Sequence, residues 1–306
     1  MKKVLIIGTG SIAQKHIINL ISLNYKIYVY SKTNRKFFQK NLQIERLISL
    51  EDLSDFEFVV IANKTSDHLK VLTKLINKKK NIYCEKPIFH RKFEHLKLRN
   101  LIKRNKIVFH NGCQLRNDTK IIFIKKKLKK LKINSFQVAV GHDFAKWRKN
   151  RILKNSYFSN TQKGGGVIFE LVHEVNLIHF LFGKIKKIKT IKSQLKRFKC
   201  EEIAVSVIET EKKIVGTLYQ DMVSNIFFRS IKIVTDEKLF IIDLVKNQII
   251  ENKKVKQFKK INDQIDLLKK NILLFKKRIV SKDYSLNDYD TAIEDLSICL
   301  KMHIEK

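Results

Sequence analysis

The chain has 306 residues, 44% of them hydrophobic and 30% charged, with a formal net charge of +35 and an isoelectric point near 10.0. That length and apolar share support a full core, expected to split into two domains, and no window approaches 18 consecutive apolar residues, so a membrane span is excluded. The charge invites a polyanion partner, but the lysine excess runs the whole length beside abundant isoleucine, asparagine and phenylalanine, the mark of codon bias toward A and T, so no specific nucleic acid is expected.

The densest basic run, 125–132, alternates with Leu128 and Leu131 at helical spacing and reads as a solvated helix face. Arginine and exposed aromatics are not clustered with it. The four cysteines, Cys84, Cys113, Cys200 and Cys299, show no metal-like pairing, so no metal is expected. The apolar run that opens the chain is too short for a signal peptide, and the expected compartment is the cytoplasm.

Residues 3–7 form an apolar run of strand length, and Gly8-Thr9-Gly10-Ser11-Ile12-Ala13 follows at once. Ile12, His16, Ile17, Leu20 and Ile21 then recur at helical spacing. A strand at 26–30 comes next, followed by a helical stretch, a strand at 56–62, a helix near 66–77, a strand at 81–84, a helix near 91–104 and a strand at 106–109. Unbroken apolar strands alternating with helices predict a parallel sheet covered on both faces. The fold class is therefore α/β, with an N-terminal doubly wound Rossmann dinucleotide-binding domain over residues 1–117.

The pattern changes after a lysine-rich helix near 119–131. Strands are expected at 133–140, 186–193, 202–209, 214–220, 226–235 and 238–244, joined by short turns, with one helix at 167–182 and a helical tail from 263. This predicts a C-terminal α+β domain, residues 118–306, with a mostly antiparallel open sheet. It would hold the substrate and carry oligomerisation, with its last helices free to pack back on the first domain.

Glycine and proline punctuate the chain sparsely, and their positions are informative. Average usage would give roughly 21 glycines; the chain has 9, and five fall in two motifs. In the first, Gly8 permits a tight turn, Gly10 lets the backbone approach a pyrophosphate, and Ala13 allows close helix-on-strand packing, while amides at the helix start face the phosphates. After the second strand the chain reads Tyr30-Ser31-Lys32-Thr33-Asn34-Arg35. With no carboxylate for the ribose hydroxyls and with Ser31, Lys32 and Arg35 at hand, NADP is favoured over NAD.

The single proline follows Tyr83-Cys84-Glu85-Lys86. Proline fixes the backbone that presents its neighbour, which makes Lys86 a candidate for chemistry; the alternative is a plain strand stop. The second glycine motif, Gly164-Gly165-Gly166, precedes a helical pattern in which Glu170, His173 and Asn176 share a face. Acid, imidazole and amide on one stripe suit a substrate hydroxyl, or a solvated helix edge.

Together these motifs resemble the oxidoreductase family named after glucose-fructose oxidoreductase, inositol dehydrogenase and a rhizopine-catabolism protein (Gfo/Idh/MocA). The resemblance runs from Val4 to the C-terminal helices. It covers the phosphate turn with His16, Asn63-Lys64-Thr65-Ser66-Asp67-His68, Glu85-Lys86-Pro87, Gln114-Leu115-Arg116 and the triple glycine with its histidine helix. Trp147-Arg148 and Tyr157-Phe158-Ser159 are similar to a branch associated with sugar and nucleotide-sugar metabolism.

The resemblance implies Lys86 and His173 as catalytic residues and a cis Lys86-Pro87 bond. It implies cofactor contacts from Gly8, Thr9, Gly10, Ser11, Ile12, Ser31, Lys32, Arg35, Asn63, Thr65, His68, Glu85, Lys86 and Gln114. Substrate contacts are implied for Glu170, Asn176, Trp147, Arg148 and Tyr157, and a homodimer or homotetramer through the C-terminal sheet. Asn176 stands where many members carry aspartate, and an amide cannot exchange a proton.

An imidazole near pKa ~6.5 exchanges a proton around neutrality more readily than a lysine near ~10.4. His173 is thus the expected acid/base, and Lys86 the cation favouring a developing alkoxide. The expected activity is hydride transfer between a nicotinamide and a secondary alcohol or ketone of a sugar, cyclitol or nucleotide sugar. The competing reading is a dinucleotide-binding sensor or scaffold without turnover.

Overall fold

The computed structural model describes residues 1–31, 44–147, 157–195, 197–259 and 263–304. The chain divides into two compact units. Met1–Gln114 with Ile261–Ile293 form the first, and Leu115–Lys260 with Glu294–Lys306 the second.

In the first unit, β1 (Lys3–Ile7), β2 (Lys26–Tyr30), β3 (Ile44–Arg46), β4 (Phe56–Ile61), β5 (Ile82–Cys84) and β6 (Phe109–Asn111) make one sheet. Its order is β3-β2-β1-β4-β5-β6, parallel throughout. Helices α1 (Ser11–Ser22), α2 (Thr65–Asn77) and α3 (His95–Arg104) are the crossovers. Val4, Ile6, Phe58 and Val60 are fully buried, which is what an unbroken apolar strand needs between two helix layers. The strand order reverses between β1 and β4, the place where such sheets open a crevice at their strand ends.

Part of the helical tail completes this unit. Helix α8 (Asp263–Val280) lies against α1, where Asn19 Nδ2 donates to the Ile265 carbonyl at 2.9 Å, and its Phe275 packs edge-on against Phe58 and Tyr83. Arg278 donates to the Phe109 carbonyl at 2.9 Å and to Asp288 at 2.7 Å. Arg99 holds Asp290 through two bonds of 2.7 and 2.8 Å.

The second unit is built on an eight-stranded sheet of order β14-β13-β12-β11-β7-β10-β9-β8. Its strands are β7 (Ile133–Gly141), β8 (Ile185–Ser193), β9 (Ile203–Thr210), β10 (Val215–Asp221), β11 (Phe228–Thr235), β12 (Leu239–Asp243), β13 (Gln248–Glu251) and β14 (Lys254–Gln257). All neighbours are antiparallel except β7 and β10, which run parallel in the middle of the sheet. The terminal hairpin β13–β14 was not expected from the sequence.

Helices α4 (Thr119–Leu128), α5 (Phe144–Trp147), α6 (Val167–Glu170) and α7 (Val172–Phe182) belong here, and α9 (Asn287–Ile304) ends the chain. The single helix expected over 167–182 is two. Leu171 leaves the helical path (φ −106°, ψ 33°), and Gln220 Nε2 donates to its carbonyl at 2.9 Å from β10. Alternate residues of β8, β9 and β10 are buried against these helices, and the other face stays open. Among the described residues no single helix is long and apolar enough to cross a membrane.

Candidate active site

The phosphate turn leaves β1 at Gly8, whose amide donates to the Tyr30 carbonyl at 2.9 Å and whose φ of +115° suits glycine. A Cβ on Gly8 would lie 2.6 Å from the Ala62 carbonyl oxygen, so only glycine fits where the turn crosses β4. Gly10 is different. It is the N-cap of α1, and a Cβ there would meet nothing within 4 Å. Gly10 has no side chain with which to cap this helix and no acid stands in its first turn, so its first amides suit an anion. Ser11 is exposed, Ile12 is half-buried against the core, and Thr9 Oγ1 lies 3.5 Å from Ser31 Oγ.

Asn63 precedes α2 and Gln114 follows β6. Asn63 Oδ1 and Gln114 Oε1 are both buried, and neither has a hydrogen-bond partner among the described residues. Buried carbonyl-type oxygens need donors, and ribose hydroxyls or a carboxamide would supply them. An open glycine, an uncapped helix N-terminus and two waiting acceptors fit a nicotinamide dinucleotide. Thr65, the first residue of α2, is buried beside Asn63.

His68 sits behind this surface. It is 1% exposed, with Nδ1 3.1 Å from the Ile88 carbonyl and Nε2 3.3 Å from the Asn63 carbonyl, and burial pushes its imidazole below the usual value. It therefore braces the Asn63 turn against the segment after Pro87. Glu85 is likewise turned inward, with Oε1 2.7 Å from His16 Nε2 and both side chains buried. Gly112 makes the room, since a Cβ there would press on Glu85 Cα and Cδ at 3.1 Å. Lys86 is half-buried, and the Lys86-Pro87 bond is cis.

In the second unit Gly165 and Gly166 are packed as tightly as Gly8. A Cβ on Gly165 would sit 2.3 Å from the Phe158 carbonyl oxygen and 2.4 Å from that of Tyr157. Tyr157 is thereby fixed to the glycine turn through its backbone, in a 3-10 turn with Phe158 and Ser159. Glu170 ends α6 and His173 is the second residue of α7; both are buried, at 5% and 6% exposure. Asn176 is 1% exposed and its Nδ2 donates to Asp295 Oδ2 at 2.6 Å, while His179 Nδ1 lies 2.7 Å from Asp295 Oδ1. One of the two N–H donors of Asn176 is thus taken by the protein.

Lys32, Arg35, Arg148 and the side chain of Trp147 lie outside the described residues. Sequence reasoning did not single out Asp295, which holds Asn176 and His179, Glu201, whose Oε1 accepts from the Ile168 amide, or the buried pair His110 and Asn271. For the two acids the one signal in the sequence was rarity, since Asp and Glu number 29 against 64 lysines and arginines.

A doubly wound sheet with an open phosphate turn at its switch point defines a dinucleotide-binding protein. Residues 2–113, a little over a third of the chain, match the model of the oxidoreductase family with an NAD-binding Rossmann fold, Gfo/Idh/MocA. No curated protein matches the sequence. Among solved structures, levoglucosan dehydrogenase in complex with NADH aligns with a TM-score of 0.85 at 14% identity, covering 99% of this chain and 97% of that one. UDP-N-acetylglucosamine 3-dehydrogenase GnnA from Acidithiobacillus ferrooxidans gives 0.82 at 15%, covering 99% and 97%. GenD2 from gentamicin A biosynthesis, in complex with NAD, gives 0.83 at 15%, covering 98% and 93%. At these identities the likeness establishes a common fold over the whole chain.

Proposed function

We propose that this oxidoreductase transfers hydride between a nicotinamide dinucleotide and a secondary alcohol or ketone of a sugar or nucleotide sugar. One observation carries the reading: the sheet whose β1 ends in the open phosphate turn also ends, two strands away at β5, in Glu85-Lys86-Pro87. A dinucleotide on the turn supplies the hydride acceptor or donor. Lys86 Nζ donates to the reacting oxygen and favours its anionic form, and His173 exchanges the oxygen's proton. Glu170 accepts from a neighbouring substrate hydroxyl. Asn176, held by Asp295, keeps the His173 helix in place.

The names of the structural neighbours, which act on levoglucosan and on a UDP-sugar, support the substrate class. Ser31, with the cations after it in sequence, favours NADP over NAD. Four buried cysteines that form no disulfide suit a reducing compartment such as the cytoplasm. The open sheet face presents Ile191, Val205, Val207 and Val215, between 40% and 81% exposed and adjacent across β8, β9 and β10, and a second copy of the chain would cover it.

The test is reduction of NADP and NAD with a panel of sugars and nucleotide sugars, using Lys86→Ala and His173→Ala as controls. Both variants should bind cofactor and lose turnover roughly 100-fold or more. Near-normal hydride transfer in both would refute the assignment.

A further inference from the structure

Helix α6 begins on a residue that cannot cap it. Gly166 has no side chain, and its φ of +101° disfavours any other residue. The cap comes from the connection between β8 and β9. The Val167 amide donates to the Glu201 carbonyl at 3.2 Å, and the Ile168 amide donates to Glu201 Oε1 at 3.2 Å. A Cβ on Gly166 would lie 2.2 Å from that same Oε1 and 2.6 Å from Cδ, so the carboxylate fills the volume that the glycine leaves bare. Thr161 Oγ1 donates to Oε2 at 3.4 Å and ties the cap to the turn preceding the glycines.

We propose that Glu201 is a positioning residue for Glu170 and His173, acting as a cap in trans on the helix that leads into both. The inference rests on the function proposed above. Helix α6 is a single turn, with Glu170 N bonded to the Gly166 carbonyl and Leu171 N to that of Val167, so an error at its start passes directly to Glu170 and through Leu171 to His173.

Glu201 is 8% exposed, and burial pushes its carboxyl up to about 7. The groups around it are Thr161, the Ile168 amide, Cys200, Lys192 of β8 and His303 of α9, whose Nε2 is 3.5 Å from Oε1. Burial pushes the His303 imidazole down to about 4, so it brings no charge to Glu201 at neutral pH. The cap therefore titrates close to physiological pH, and its bond to the Ile168 amide reports the event.

The experiment is amide and imidazole NMR on the full chain, with Glu201→Gln and Glu201→Ala beside the natural protein. The Ile168 amide resonance should move with a midpoint near 7, and Glu201→Gln, which keeps the shape and the acceptor, should abolish that midpoint. Glu201→Ala should speed hydrogen exchange at Val167 and Ile168 roughly fivefold or more and displace the His173 ring resonances, with Glu201→Gln restoring both.

In turnover, Glu201→Ala should lower kcat about tenfold with the KM for dinucleotide unchanged. Unchanged Ile168 exchange and unchanged His173 resonances in Glu201→Ala overturn the proposal; should that variant not fold, a midpoint near 7 that persists in Glu201→Gln overturns it equally. If the resonances behave as expected but the natural protein turns over no sugar, the capping stands and the substrate reading is the part that fails.

Discussion

Glu85 Oε1 and His16 Nε2 lie 2.7 Å apart with both side chains closed off from solvent, joining the end of β5 to the middle of α1. The residue before the candidate catalytic lysine is thus fixed to the helix that starts at the phosphate turn. The His16 ring stands edge-on to Tyr83 at 5.0 Å, Tyr83 lies 5.1 Å from His110, and His110 meets Asn271 at 3.1 Å and Asp288 at 3.0 Å. One buried layer therefore runs from α1 under β5 and β6 to the helical tail.

Cutting this pair leaves a buried carboxyl without its partner. His16→Ala should destabilise the protein by about 3 kcal/mol in urea unfolding, and Glu85→Gln, which keeps a bond to the ring, by about 1 kcal/mol. Equal losses in the two variants would show that packing, and not the pair, sets the cost.

The two glycines of the phosphate turn should separate folding from binding. Gly8→Ala forces a Cβ to within 2.6 Å of the Ala62 carbonyl at a φ of +115°, and should cost more than about 2 kcal/mol of stability. Gly10→Ala points its methyl into open space, so stability should stay within about 0.5 kcal/mol while dinucleotide affinity falls. Calorimetric titration with NAD and NADP, run beside the unfolding curves, checks both. Undiminished affinity in Gly10→Ala would remove the pyrophosphate from this turn.

The parts legible in the sequence are those carried by neighbours along the chain. Strand, glycines and helix follow one another from Lys3 to Ser22, so the turn declares itself, and Glu85-Lys86-Pro87 does so at the end of an apolar run. Pairing between distant residues leaves no local trace. Glu85 and His16 are 69 positions apart, and Asn176 and Asp295 are 119 apart. The parallel β7–β10 pair was hidden because alternation reads the same in either direction, and β14 was hidden because all four of its residues are exposed. The break at Leu171 falls inside an apolar run of helical character, and the bond from Gln220 that accompanies it comes from another strand.

Glu201 and His303 should give opposing pH dependences. Glu201 has a native value near 7 against an ordinary 4.5, so the native state holds more protons between these values and stability falls as pH rises through that window. His303 has a native value near 4 against 6.5, so the unfolded state holds more protons and stability rises with pH across nearly the same range. In the natural protein the two largely cancel. Relative to it, Glu201→Gln should gain about 2–3 kcal/mol between pH 4 and 7, and His303→Phe should lose a similar amount. Unfolding free energies at half-unit pH steps would show this, and parallel profiles for the two variants would contradict it.

Asn176 occupies a position where an acid would be a liability in this chain. Its Nδ2 donates to Asp295 Oδ2 at 2.6 Å, and Asp295 is 2% exposed with its other oxygen on His179. Asn176→Asp would set two buried carboxyls face to face, where both cannot ionise. One must take up a proton, its native pKa rises above the unfolded ~3.9, and the penalty is complete above that raised value and vanishes as pH falls toward the unfolded one. Asn176→Asp should therefore cost about 3 kcal/mol at pH 8 and much less at pH 5, while Asp295→Asn, which forms an amide pair, should show no such pH dependence. Urea unfolding at the two pH values decides it. A cost that is equal at pH 5 and pH 8 would mean that the introduced carboxyl turns away from Asp295, and that the amide's bond does not fix this side of the His173 helix.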